Sequence, residues 1–237
     1  MIDILAIGAH PDDMELAAGG TIYSHTAAGK TVVIADLTKG ELGTRGNAQA
    51  RATEAKNAAA ILGVKERVNL GLADGFFEAD EQSLLKVVQT IRTYRPRIVL
   101  TNAIADRHPD HGRAAELVSR ACFLAGLRKI VTENKGQEQG AWRPEAVYHV
   151  VQDRFIKPDL VVDISFCFSK KMESIKAFQT QFYNPDSEEP ETPISSLAFL
   201  QYLEGRAREM GRLIGVEFGE GFTVERPLGI DNLLKLS

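Results

Sequence analysis

The sequence predicts an α/β fold in which a mostly parallel sheet carries helices on both faces. Two observations predict it: short apolar, β-branched runs alternate with longer segments of helical period through the first half, and the runs are apolar throughout rather than at every second residue. A strand buried on both faces reads that way, and a βαβα order builds a parallel sheet. The 237 residues are enough for one large domain with its own core.

Ile2 to Gly8 is the first such run, followed by a helix over Met14 to Ala28 with Gly29 just past its end. Thr31 to Thr38 is the second strand, and the Ala-, Glu- and Lys-rich stretch from Ala48 to Leu62 is a helix stopped at Gly63. Arg67 to Leu72 is a third strand. Glu81 to Tyr94 is helical until Pro96 forces its end by removing a backbone donor. Arg97 to Thr101 is the fourth strand, followed by a polar loop and a helix from about Gly112 to Ala125.

The second half is less regular. Ala146 to Val151 and Leu160 to Ile164 read as strands, and Ser169 to Phe182 and Leu197 to Ile214 as helices. Residues Tyr183 to Pro193, rich in proline and acids, read as a loop, and Gly215 onward as an irregular C-terminal part. No flexible linker divides the chain, so residues 1–237 are expected to form a single domain.

Composition removes several function classes. Subtracting 32 acidic from 28 basic residues gives a net charge of −4, which argues against a wholly basic nucleic-acid binder. No apolar run approaches the ~20 residues of a membrane helix, and the start, Met1-Ile2-Asp3, lacks the basic region of a secretory signal. Cys122 and Cys167 form neither a disulfide framework nor a Cys-x-x-Cys metal pair, so a reducing, cytoplasmic setting is expected.

In a parallel sheet, ligands bind at the carboxyl ends of the strands. Three of the five histidines fall in two of the loops there, each beside carboxylates: His10-Pro11-Asp12-Asp13 after the first strand and His108-Pro109-Asp110-His111 after the fourth. Either motif alone also fits a capped helix start or a solvated loop. Both together, on one edge of one sheet, predict a metal centre. His10, Asp13 and His111 supply the imidazole and carboxylate donors that zinc takes when thiolates are absent, with a position left for water. Asp12 is then placed as general base, and His108, held charged by Asp110, as the group that steadies an oxyanion. His25, His149 and Trp142 read as packing residues.

The competing reading is a nonenzymatic nucleotide- or metal-binding module on a Rossmann-like sheet. Against a dinucleotide, the first turn has only Gly8 and no G-x-G-x-x-G, and it would bring two carboxylates toward a pyrophosphate.

At the two motifs, Ala9-His10-Pro11-Asp12-Asp13-Met14-Glu15 and His108-Pro109-Asp110-His111, the sequence resembles the PIG-L/LmbE-like family of zinc-dependent N-acetylglucosaminyl deacetylases. Asp106-Arg107, Asp163-Ile164-Ser165, Glu191-Thr192-Pro193-Ile194 and Gly219-Glu220-Gly221-Phe222 bring it nearest to the glucosaminyl-malate deacetylases of bacillithiol biosynthesis. The resemblance implies a Rossmann-like fold and hydrolysis of an acetamide on an amino sugar, such as the malate glycoside, a chitooligosaccharide or a thiol conjugate. It implies His10, Asp13 and His111 as ligands to one Zn2+ per chain (Fe2+ suits the same donors), Asp12 as base, and His108 with Asp110 as transition-state stabiliser. It further implies substrate contacts from Arg51, Arg107, Glu41 and Arg45, and a homo-oligomer such as a hexamer, with neither nucleic acid nor membrane as partner.

Overall fold

A computed structural model describes residues 1–232; the last five residues of the expected domain, 233–237, lie outside the described ones. Seven strands form one sheet in the order β3-β2-β1-β4-β7-β9-β8. Here β1 is Ile2–Gly8, β2 Val32–Thr38, β3 Glu66–Leu72, β4 Pro96–Thr101, β7 Ala146–Val150, β8 Leu160–Asp163 and β9 Gly219–Val224. A small hairpin of β5 (Glu133–Asn134) and β6 (Gln137–Glu138) stands apart.

The first five strands of the order run parallel, and β9 pairs antiparallel with both β7 and β8. Every residue of β2 is buried, as are all but one of β1, because helices cover both faces. On one face α3 (Glu81–Tyr94) packs against α4 (Pro109–Ala125), over a core that includes Leu5, Ile7, Val33, Val88 and Leu117. On the other lie α1 (Asp13–Ala27) and α2 (Ala48–Ile61), joined by α5 (Phe168–Lys176) and α6 (Leu197–Ile214). The α1 helix closely meets α5 and the segment leading into it: a Cβ added at Gly19 would lie 3.3 Å from Lys171 of α5, and one at Gly20 2.7 Å from Ile164.

Three expectations are corrected. The tail beyond Gly215 is not irregular throughout, since Gly219–Val224 is a strand inserted between β7 and β8. Its glycines, which look like loop residues, permit close contact: a Cβ at Gly219 would meet Val161 at 2.6 Å. The helix expected over Ser169 to Phe182 ends at Lys176. The chain then turns so that Thr180 donates through its backbone N–H and its hydroxyl to the buried Glu54, both at 2.8 Å. Finally, α4 begins at Pro109 rather than Gly112. Proline at the first helical position has its φ already set and no donor to lose, so Asp110 and His111 belong to a helix rather than a loop.

Strand order reverses between β1 and β4, the point where a parallel sheet opens a crevice. The two histidine motifs follow these two strands.

Candidate metal centre

The turn from β1 into α1 carries His10, Asp12 and Asp13, all buried. Asp12 sits at φ 128°, a region costly for a side-chain-bearing residue, and makes no capping bond to α1. Its carboxylate is instead met by the Arg51 guanidinium at 2.6 Å, and the same nitrogen donates to the Pro11 carbonyl at 3.1 Å. Burial raises the Asp12 pKa to about 6, with Arg51 pulling the other way.

Asp13 faces both motif histidines that are expected to ligate. Its Oδ1 lies 3.1 Å from His111 Nε2 and its Oδ2 3.6 Å from His10 Nδ1. Asn102 Nδ2 and Gln152 Nε2 each donate to this carboxylate at 3.0 Å, and the His10 backbone N–H does so at 2.9 Å. Burial opposes ionisation, yet His111 and His10 hold Asp13 well below the ordinary carboxylate range.

The remaining nitrogen of each ring is already engaged. His111 Nδ1 is 2.7 Å from Asp106 Oδ2, and His10 Nε2 is 3.0 Å from Asp74 Oδ1 and 3.3 Å from Asp110 Oδ2. A carboxylate on the outer nitrogen fixes the tautomer and orientation of a metal-binding imidazole. The donor atoms that lie close together are those of His10 with His108 and His111, and of His10 with Asp74 and Asp110. Asp13, between His10 Nδ1 and His111 Nε2, adds a further carboxylate, and such imidazole and carboxylate donors suit a divalent transition metal. The carboxylates overcome burial to carry the pKa of His111 to about 9 and that of His10 well above its ordinary value, so the site attracts positive charge.

His108 caps α4: its Nδ1 accepts the Asp110 backbone N–H at 3.3 Å. Its ring lies 4.6 Å from that of His10 and 5.3 Å from that of His111, centroid to centroid. The expected pairing of the Asp110 carboxylate with His108 is not found. That carboxylate accepts from the Gly75 N–H and from Arg113, each at 2.9 Å, besides facing His10. Burial and the two neighbouring imidazoles lower the His108 pKa, so the ring is not held charged as expected.

The other expected contacts separate. Arg51 lines the cavity and pairs with Asp12, whose carboxylate, sealed from water, needs a countercharge. Glu41 is turned from the cavity, its oxygens accepting the backbone N–H groups of Asp74 and Lys39. Arg45 is buried on the cavity wall, where it donates to Ser187 Oγ. Arg107 stands half-exposed at the rim beside Asp153. Sequence reasoning passed over Asp74, Asn102 and Gln152 and saw in Asp106 only a subfamily mark. The one signal for them is position, each just beyond the carboxyl end of a strand. Glu15 of the first motif lies below the site, tying Arg67 (2.5 Å) and through it Asp36 (2.8 Å) into a buried network.

A cavity of about 320 Å³ opens over this cluster. Histidines braced by carboxylates, beside a buried carboxylate at the edge of a parallel sheet, offer the donor chemistry used by metal-dependent hydrolases. The GlcNAc-PI de-N-acetylase family, PIG-L, matches residues 5–122. The diacetylchitobiose deacetylase of Thermococcus kodakarensis is 32% identical over 189 residues, 76% of this chain and 70% of that one. A probable N-acetyl-alpha-D-glucosaminyl L-malate deacetylase 2 of Bacillus cereus is 28% identical across 75% of this chain and 83% of its own. Among solved structures, the conserved protein TT1542 from Thermus thermophilus superposes with a TM-score of 0.86 at 33% identity, covering 98% of this chain and 99% of that one. The chain belongs to the PIG-L family and is an N-deacetylase, a hydrolase of N-acetyl amides.

Proposed function

We propose that the chain removes the N-acetyl group of an N-acetylglucosamine derivative in a zinc-dependent reaction, with His10, Asp13 and His111 as ligands. The carrying observation is the Asp13 carboxylate between two imidazoles whose outer nitrogens are already taken. When bound there, the ion polarises the acetyl carbonyl and holds the attacking water.

Asp12 takes the proton of that water and delivers it to the departing amine. Its strained backbone and its Arg51 partner hold the carboxylate in one place, and a pKa of about 6 suits both halves of the transfer. His108, half-buried over the two ligand rings, donates a hydrogen bond to the developing oxyanion. Asp110 contributes by aligning His10 and the Gly75 backbone.

The substrate we favour is N-acetylglucosaminyl-malate, giving glucosaminyl-malate and acetate for bacillithiol biosynthesis. Arg45 and Arg107, both on the cavity wall, support it as carboxylate partners. Diacetylchitobiose is the second reading, favoured by the Thermococcus relative. Acetate release measured across N-acetylglucosamine, its malate glycoside and diacetylchitobiose tests the proposal, together with metal analysis. Acetate from none of the three, or activity indifferent to chelation, rejects it. The reading includes one domain and a cytoplasmic homo-oligomer, a hexamer, which light scattering checks; no helix among the described residues is long and apolar enough to cross a membrane.

A further inference from the structure

The cavity does not stop at the metal centre. Asp13, Leu16 and Ala17 share one face of α1, and Leu16 and Ala17 line the cavity beyond the carboxylate. Opposite them α6 contributes Leu203, Ala207 and Met210, again one helical face. Ala17, Leu203, Ala207 and Met210 are all buried, so this arm is closed to solvent, whereas the other end opens between the exposed Leu42 and Arg107. Gly219 and Gly221 line the cavity beside this face, and a Cβ at Gly221 would lie 2.9 Å from Met210 Sδ. Glu220 there is consumed within the fold, accepting the Gly20 and Thr21 N–H groups at 2.9 and 2.7 Å and Lys171 Nζ at 2.6 Å.

An amide has two unlike sides. The amine side carries the sugar and its hydroxyls, which match the polar mouth; the acyl side carries only an alkyl group, which matches a dry apolar arm. We propose that this arm receives linear N-acyl groups longer than acetyl, from butyryl to hexanoyl, so that the enzyme is an N-deacylase of amino sugars. The proposal rests on the deacetylase reading above. Four residues of helix, from Asp13 to Ala17, rise about 6 Å. An extended chain advances about 1.2 Å per bond, so the α1 wall from Asp13 to Ala17 matches the length of about five carbons beyond the carbonyl. The chemistry is balanced without a co-reactant. Water oxygen adds to the acyl carbon, the C–N bond breaks with its electron pair left on nitrogen, and nitrogen takes a proton, giving a free amine and a linear carboxylate.

The test compares zinc-loaded enzyme on the N-acetyl, N-butyryl and N-hexanoyl forms of glucosamine, of glucosaminyl-malate and of chitobiose, with the released amine as one readout for all. The expected result is a kcat/KM for hexanoyl at least equal to that for acetyl, with hexanoate inhibiting at concentrations at least tenfold lower than acetate. Ala207→Phe, which fills the arm, lowers the hexanoyl-to-acetyl ratio of kcat/KM at least tenfold, and Ala17→Leu does so from the facing helix should the first variant not fold. A more than tenfold fall in kcat/KM from acetyl to butyryl, or an unchanged ratio in the filled variants, overturns the inference and leaves the deacetylase standing. No amine from any of these substrates overturns both.

Discussion

Asp106 Oδ2 sits 2.7 Å from His111 Nδ1, and the same carboxylate accepts the backbone N–H groups of Arg107 and Arg154 at 2.9 and 2.8 Å. The carboxylate is therefore fixed before it fixes the ring, which leaves His111 Nε2 turned toward Asp13. Removing such a partner costs a metal-binding histidine its orientation and basicity, typically 10–100-fold in affinity. Asp106→Ala is expected to weaken zinc binding by roughly that factor, read by competition with a chromogenic chelator. Unchanged affinity would show that His111 is held by other contacts.

Asp12 pairs with Arg51 and is not one of the ligands proposed above. Asp12→Asn is accordingly expected to retain a full complement of metal while kcat falls by about 10²–10⁴, the range for loss of a general base. His10→Ala is expected to lose the metal itself. Metal content and initial rate, measured on the same preparations, separate the two. A fully active Asp12→Asn enzyme would take the base role from this carboxylate.

How far the sequence reveals such a site depends on what kind of relationship is asked for. The strand ends and the two histidine motifs were legible because burial on both faces and local spacing write themselves into the chain. The partners of the rings were not. Asp110 is two residues from His108 in sequence, yet helix geometry from Pro109 sends its carboxylate to His10, 100 positions away. Asp74 arrives from the loop after β3, and nothing in its own neighbourhood signals His10. The β9 strand was hidden for a related reason: its partners lie on either side in space but are both far upstream in the chain. Arg51 is expected from the resemblance as a substrate contact, and its pairing with Asp12, 39 positions away, is not written in its own neighbourhood.

Gly20 stands where α1 presses on Ile164, and an added Cβ would lie 2.7–2.9 Å from three atoms of that side chain. Gly20→Ala has the higher helix propensity but overpacks a closed contact, an effect of roughly 1–3 kcal/mol. The expected outcome is net destabilisation in urea, partly relieved by adding Ile164→Val. Stabilisation by Gly20→Ala would mean that α1 can move away from Ile164 at little cost.

Stripping the metal should lower stability as well as activity, because an ion that binds only the folded chain stabilises it by mass action. At a free concentration one hundred times Kd the contribution is about 2.7 kcal/mol, which for a chain of this size corresponds to roughly 5–10 °C in Tm. Chelator followed by zinc is expected to lower and then restore both Tm and acetate release. A Tm indifferent to the ion would argue that the cluster is held by its carboxylate–imidazole bonds alone.

The pH dependence of stability has a component away from the metal centre. Glu225 lies 3.0 Å from His149 Nε2, and His149 Nδ1 meets the Asn102 carbonyl at 3.0 Å. The bond to His149 holds the Glu225 carboxyl below its ordinary value of 4.5, against the opposing effect of burial. A carboxyl whose pKa is lower in the folded than in the unfolded chain stabilises the fold above the unfolded value, and that contribution disappears as pH falls through the folded one. Glu225→Gln, which resembles the protonated acid, is therefore expected to lower Tm at pH 7. The gap from wild type should close between about pH 5 and pH 3. Since Glu225 is partly exposed, the gap should also shrink in high salt. A difference in Tm that stays constant across this range would mean that Glu225 acts by shape or hydrogen bonding alone, with no proton linked to its place beside His149.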